Sequence, residues 1–147
     1  MIRAARVLAL FGLCVLLAAW EDPAREALAL HGRWQVIRMR AGGRELPVGR
    51  GRVLIFGDGV FHAVQDGRPV GALAYAVDPT ARPRHIDLAR PGSDRLALGL
   101  YARFGDRLVI CYAEPGRERP TTFVSERGDT AIILVLERLP DEPTAGR

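Results

Sequence analysis

The chain reads as an all-β protein, an eight-stranded antiparallel up-and-down barrel with a short N-terminal helix. Three observations predict it. Apolar and polar residues alternate over many short runs between Trp34 and Arg138, the period of strands with one buried face. Turn residues such as Asp58-Gly59, Asp66-Gly67, Pro91-Gly92 and Gly105-Asp106 separate these runs, so the connections are hairpins. Helical signals are confined to one short stretch near the start. Such a pattern points to a sandwich or a closed barrel, and the barrel is the reading adopted here. An eight-stranded barrel has an interior that side chains just fill or that holds one small ligand.

Taken in order, residues 1–20 form a signal peptide or a short membrane anchor. Arg3 and Arg6 give a positive start, and the 14 residues from Val7 to Trp20 carry no charge. That run is shorter than the roughly 20 residues a spanning helix needs. Cleavage, retention as an anchor and lipidation at Cys14 are three possible fates, and each places the domain in an exported setting. Residues 21–29 are a linker or short helix, with Asp22 as N-cap before Pro23. Residues 30–139 are the barrel domain, and 140–147 a polar tail expected to be disordered.

Within the domain, Trp34, Val36 and Arg38 alternate with Gln35, Ile37 and Met39 as a first strand, broken at Ala41-Gly42-Gly43. Residues 46–51 read as a loop. Strands follow at Arg52–Phe56, Val60–Gln65, Val70–Val77 and Arg84–Leu88. The clearest element is the hairpin from Leu96 to Tyr112, in which Leu96, Leu98, Leu100, Ala102 and Phe104 occupy every second position. Thr121–Val124 reads as extended, and Thr130–Arg138 is the last strand.

Composition bounds the function. The chain has 147 residues, 48% hydrophobic and 26% charged, enough for one core. All 21 basic residues are arginine. Without Arg3 and Arg6 the net charge falls from +4 to +2, too small a field to gather a nucleic acid. The membrane is approached only through the N-terminal segment. Once that segment is removed, Cys111 is the single cysteine and no internal disulfide can form.

The Gly32-Arg33-Trp34 opening of the first strand, with Arg138 on the last, resembles the lipocalin-like (calycin) barrels. The resemblance implies that Trp34 plugs one end of the barrel beneath Arg138. A longer pattern runs Leu30–Val36, Val77–Leu88, Gly99–Tyr101 and Asp106–Pro120. It resembles an uncharacterised lipocalin-like domain family common in planctomycetes. That family carries a tryptophan strand, a D-P…P…I-D-L segment, a G-I-Y strand and an I-C-x-A-x-P-G…R-P segment in this order. The likeness covers about Leu30 to Leu139. Gly99-Leu100-Tyr101 stands for G-I-Y, and Tyr112 replaces an aliphatic residue. The family has no established activity, so no catalytic residue is carried over.

Side-chain chemistry offers several candidate sites. Cys111 with His62 or His85 is a possible nucleophile and base, but its place inside V-I-C-Y suits a structural, buried cysteine. His85 and Asp87 lie on one strand face about 7 Å apart; with His31 and His62 they are the metal candidates, yet no short ligand motif joins them, and no metal or cofactor is expected. Asp87 is expected instead to accept from Arg84 or Arg103. Asp87, Glu114 and Glu118 are the candidates from which a carboxylate pair for glycoside chemistry would be drawn. Arg117-Glu118-Arg119 is a charged loop suited to an anion or to pairing within itself. Trp34, Tyr75, Tyr101 and Tyr112 are the candidate lining of an interior ligand cavity. Ala72, Ala74 and Ala76 would leave room there if they face inward. Gly32, Trp34, Arg138 and Cys111 are the structural positions.

Three functions remain open on these grounds. The first is non-catalytic binding of a small apolar or amphipathic ligand. The second is a filled barrel that meets a partner in the cell envelope. The third is a hydrolase built on Cys111 or on His85 and Asp87.

Overall fold

In a computed structural model, which describes residues 22–142, the chain is a closed antiparallel barrel of eight strands with one short helix. Residues 1–21 and 143–147, which include the expected leader and the end of the tail, lie outside the described residues. Helix α1 (Pro23–Leu30) starts where Asp22 accepts a hydrogen bond from the Ala24 N–H at 3.0 Å, with proline in its first turn. Its last residue, Leu30, is fully buried.

The strands are β1 (Gly32–Ala41), β2 (Arg44–Leu46), β3 (Arg52–Phe56), β4 (Val60–Gln65), β5 (Arg68–Asp78), β6 (Arg84–Ala89), β7 (Leu96–Phe104), β8 (Arg107–Tyr112) and β9 (Ile132–Arg138). Sequential neighbours pair from β3 to β9, and β1 pairs with both β3 and β9 to close the ring. The extra strand is β2, a three-residue stub paired with the far end of β1, where the sequence reading placed only a loop. Gly42 and Gly43 both have positive φ, so they form a two-residue hairpin turn that sends the chain back along β1. Thr121–Val124 is not a strand. It belongs to a long segment, Ala113–Ala131, that straps the outside of the barrel.

One strand breaks the plain alternation, and in another the inward set is not the leucines. Between Val36 and Arg38, β1 carries a bulge against β9. The extra residue reverses the phase, so Val36 and Met39 both line the interior while Arg38 faces out. In β7 the inward residues are Ala97 and Tyr101, not the leucines. Leu96 and Phe104 are largely exposed, whereas Leu100 is buried on the outer face. Its neighbour Cys111 is buried there too and lies 3.7 Å from the Thr122 carbonyl oxygen of the strap. The strap supplies a second, outer apolar layer, and this is why the leucine run is not on the main core.

Arg119 fastens that strap. Its guanidinium pairs with Asp87 at 2.8 Å and donates to the Gly99 carbonyl at 2.7 Å. Asp87 is therefore held by Arg119 and not by Arg84 or Arg103. Those two arginines meet Glu26 of α1 at 3.2 and 3.7 Å and tie the helix to the barrel. At the other end of the strap, the Ser125 hydroxyl donates to the Ala131 carbonyl and accepts from the Gly43 N–H.

The interior is filled at one end and open at the other. At the filled end, Trp34, Ile86, Tyr101, Leu108 and Leu136 are almost wholly excluded from solvent. Phe56 stacks on Phe61 at 4.8 Å and meets Tyr75 edge-on at 5.1 Å. The Trp34 indole N–H donates to the Leu30 carbonyl at 2.8 Å. Arg138 lies 4.1 Å over the indole ring and donates to the Ala29 and His31 carbonyls at 2.8 Å each. It thus satisfies carbonyls at the C-terminus of α1 while covering the tryptophan. Gly32 has φ +118°, and a Cβ there would stand 3.0 Å from the Arg138 guanidinium. Any other residue would be strained at this φ and would crowd the Arg138 guanidinium.

Candidate functional site

The open end is built by the far halves of the strands that pack Trp34 at the other end. There the inward positions carry smaller or shorter residues: Ala63 on β4, Leu73 on β5, Leu88 on β6, Ala97 on β7 and Leu134 on β9. They leave an inner chamber of about 140 Å³ whose wall is apolar except for Arg52 and the Tyr112 phenol. Outside it lies a mouth cleft of about 450 Å³ that includes Arg90, Ser93 and Arg95. Leu73, Leu88 and Tyr112 line both spaces, so the two adjoin.

Tyr112 sits at this junction for a backbone reason. It is the register partner of Gly99, and a Cβ on Gly99 would come within 2.9 Å of the Tyr112 Cβ. Glycine lets the two strands carry the large ring at that level. Burial raises the Tyr112 phenol above its ordinary pKa, so it stays neutral and able to donate. Among the described residues its hydroxyl has no hydrogen-bond partner. The Tyr75 hydroxyl, in contrast, is spent on the Gly57 carbonyl at 2.8 Å.

Of the four aromatic residues expected to line a cavity, only Tyr112 does so. Trp34, Tyr75 and Tyr101 belong to the packed end. Ala72, Ala74 and Ala76 face outward, because Leu73, Tyr75 and Val77 are the inward set of β5. The residues that sequence reasoning missed are Met39, Arg52, Leu73, Leu88, Arg90, Arg95 and Leu134. A usable signal was present: once Trp34 marks the plugged end, the inward positions farthest from it must lie at the mouth.

The other candidates are placed as follows. Cys111 is fully buried between the barrel and the strap. Burial, with a smaller contribution from the Asp129 charge, pushes its thiol up to about 11, so it carries almost no thiolate at neutral pH. Asp87 is engaged by Arg119, and Glu114 and Glu118 stand on the strap, outside the lining of the mouth. Among the described residues, no group of three or more His, Cys, Asp or Glu side chains is placed to hold a metal ion. His31 lies 3.9 Å from Asp58 instead.

The chain matches no family model, no curated protein and no solved structure.

Proposed function

We propose that this is an exported, non-catalytic binding domain that takes a small apolar or amphipathic molecule through the open end of the barrel. The observation that carries this reading is the inner chamber of about 140 Å³, apolar on nearly all sides and adjoining the mouth cleft. Such a space is concave, greasy and bordered by a few polar groups, the usual make-up of a small-molecule site. The basic, then uncharged, start of the sequence supports export. Membership of the lipocalin-like family is part of the proposal, supported by the arrangement of Gly32, Trp34 and Arg138.

Benzene tests the reading. A chamber near 150 Å³ lined by aliphatic and aromatic groups is large enough to admit it. On adding benzene, the methyl resonances of Leu73, Leu88 and Leu134 should shift, while those of Ile86 and Leu108 at the packed end should not. No shift at the first group would mean that the interior is closed to ligands. The protein would then be better described as a partner-binding envelope domain.

A further inference from the structure

Charge around the opening narrows the class of ligand. Arg90 and Arg95 border the mouth cleft, and Arg52 borders the inner chamber. Several arginines of the barrel are matched with carboxylates, Arg84 and Arg103 with Glu26 and Arg119 with Asp87, while others on its surface, such as Arg40 and Arg68, are not matched within the described residues. Among the described residues, Arg52, Arg90 and Arg95 form no ion pair. No carboxylate contributes to the wall of either space. Asp94 and Glu114 flank the opening in sequence, but neither lines it.

These cations are also partly oriented. The Arg52 Nε donates to Gln65 Oε1 at 3.0 Å, and an Arg95 terminal nitrogen donates to the Pro115 carbonyl at 3.3 Å. Each bond leaves other N–H donors of the same guanidinium for a ligand. Arg90 also borders a third recess formed along β4 and β5, which shares Ala63 and Leu73 with the chamber. It therefore stands where the spaces meet. A guanidinium binds a carboxylate through paired, charge-assisted hydrogen bonds.

We propose that the ligand is a small organic carboxylate: a benzene-sized apolar group fills the inner chamber and its carboxylate is held at the mouth by Arg90 and Arg95. This rests on the binding reading above. The chamber sets the size of the apolar part, since about 140 Å³ accommodates a single six-membered ring and not a long chain. The arginines set its charge. The free Tyr112 hydroxyl, at the junction, supplies a neutral donor to the same head group.

The test compares two probes of equal shape, 3-phenylpropanoate and 3-phenylpropan-1-ol, titrated into the full-length protein by ligand-observed NMR. The carboxylate is expected to bind at least tenfold more tightly than the alcohol. Arg90→Gln with Arg95→Gln should remove that preference, read as the ratio of the two affinities within the variant. Both arginines are exposed, so the variant is expected to keep its fold, which circular dichroism would check. Raising salt should shrink the preference, because exposed charges are screened over about 8 Å at physiological ionic strength. Equal affinity of the two probes, with benzene still entering the chamber, overturns the charge assignment and leaves the binding reading standing. A preference that survives the double substitution overturns the role given to Arg90 and Arg95. Failure of both probes and of benzene overturns the inference together with its foundation.

Discussion

The stopper at the packed end can be tested by a double-mutant cycle of Trp34→Leu and Arg138→Gln. Trp34 is wholly buried, and its indole N–H donates to Leu30 at 2.8 Å. Leucine would leave part of the indole volume empty and the Leu30 carbonyl without its donor. Cutting a buried aromatic to alanine costs about 3–5 kcal/mol. Leucine keeps some of that volume but still strands the carbonyl, so about 2–4 kcal/mol is expected. Arg138→Gln removes a cation 4.1 Å above the ring and two donors to α1. The Arg138 side chain is 29% exposed, so water can replace part of what is lost. About 1–3 kcal/mol is expected. The cation–ring contact exists only when both residues are present. The double variant should therefore cost about 1 kcal/mol less than the sum of the single ones. Urea unfolding followed by far-ultraviolet circular dichroism measures all three, and small domains have about 5–15 kcal/mol to lose. Additivity within about 0.3 kcal/mol would refute the idea that the two side chains act together. A loss below about 1 kcal/mol for Trp34→Leu would show that the indole does not stopper the barrel.

Three further outcomes are expected, at Arg119 and Cys111. Arg119→Ala should loosen the strap, increasing proteolytic cleavage and amide exchange within Ala113–Ala131 while the barrel strands stay protected; protection that is unchanged would show that other contacts hold the segment. Cys111 should react with a thiol reagent slowly in the native state and promptly after unfolding. Its folded pKa, near 11, lies above the unfolded value of about 8.5. The thiol's contribution to stability is therefore complete below about pH 8.5 and is lost as pH rises towards 11. Cys111→Ala should flatten the stability profile in that window, and an unchanged alkaline slope would assign it to other groups.

Strand identity was legible because alternation and turn chemistry are local. Asp66-Gly67, both at positive φ, is an example: the dipeptide alone selects a tight hairpin. The two flanking strands then have one simple way to pair. Orientation was less legible. In β7, alternation separates two faces but does not say which is inside, and here both faces carry apolar residues. The strap buries Leu100 and Cys111 from outside, a contact between residues distant in sequence. The bulge at Ile37 similarly exchanges Arg38 for Met39, because one unpaired residue reverses everything after it.

The resemblance to lipocalin-like barrels pointed to the stopper residues Trp34 and Arg138, while the sequence by itself determined the all-β class, most strand positions and the helix cap at Asp22. These depend on backbone preferences and on spacing along the chain. Only the tertiary structure decided that three of the four aromatic candidates pack the closed end, that Asp87 serves the strap, and that Arg52, Arg90 and Arg95 border one opening. Arg90 and Arg95 share the connection between β6 and β7, whereas Arg52 opens β3. The curl of the sheet through β4 and β5 brings that connection and Arg52 to adjoining spaces, and no short stretch of sequence records that geometry.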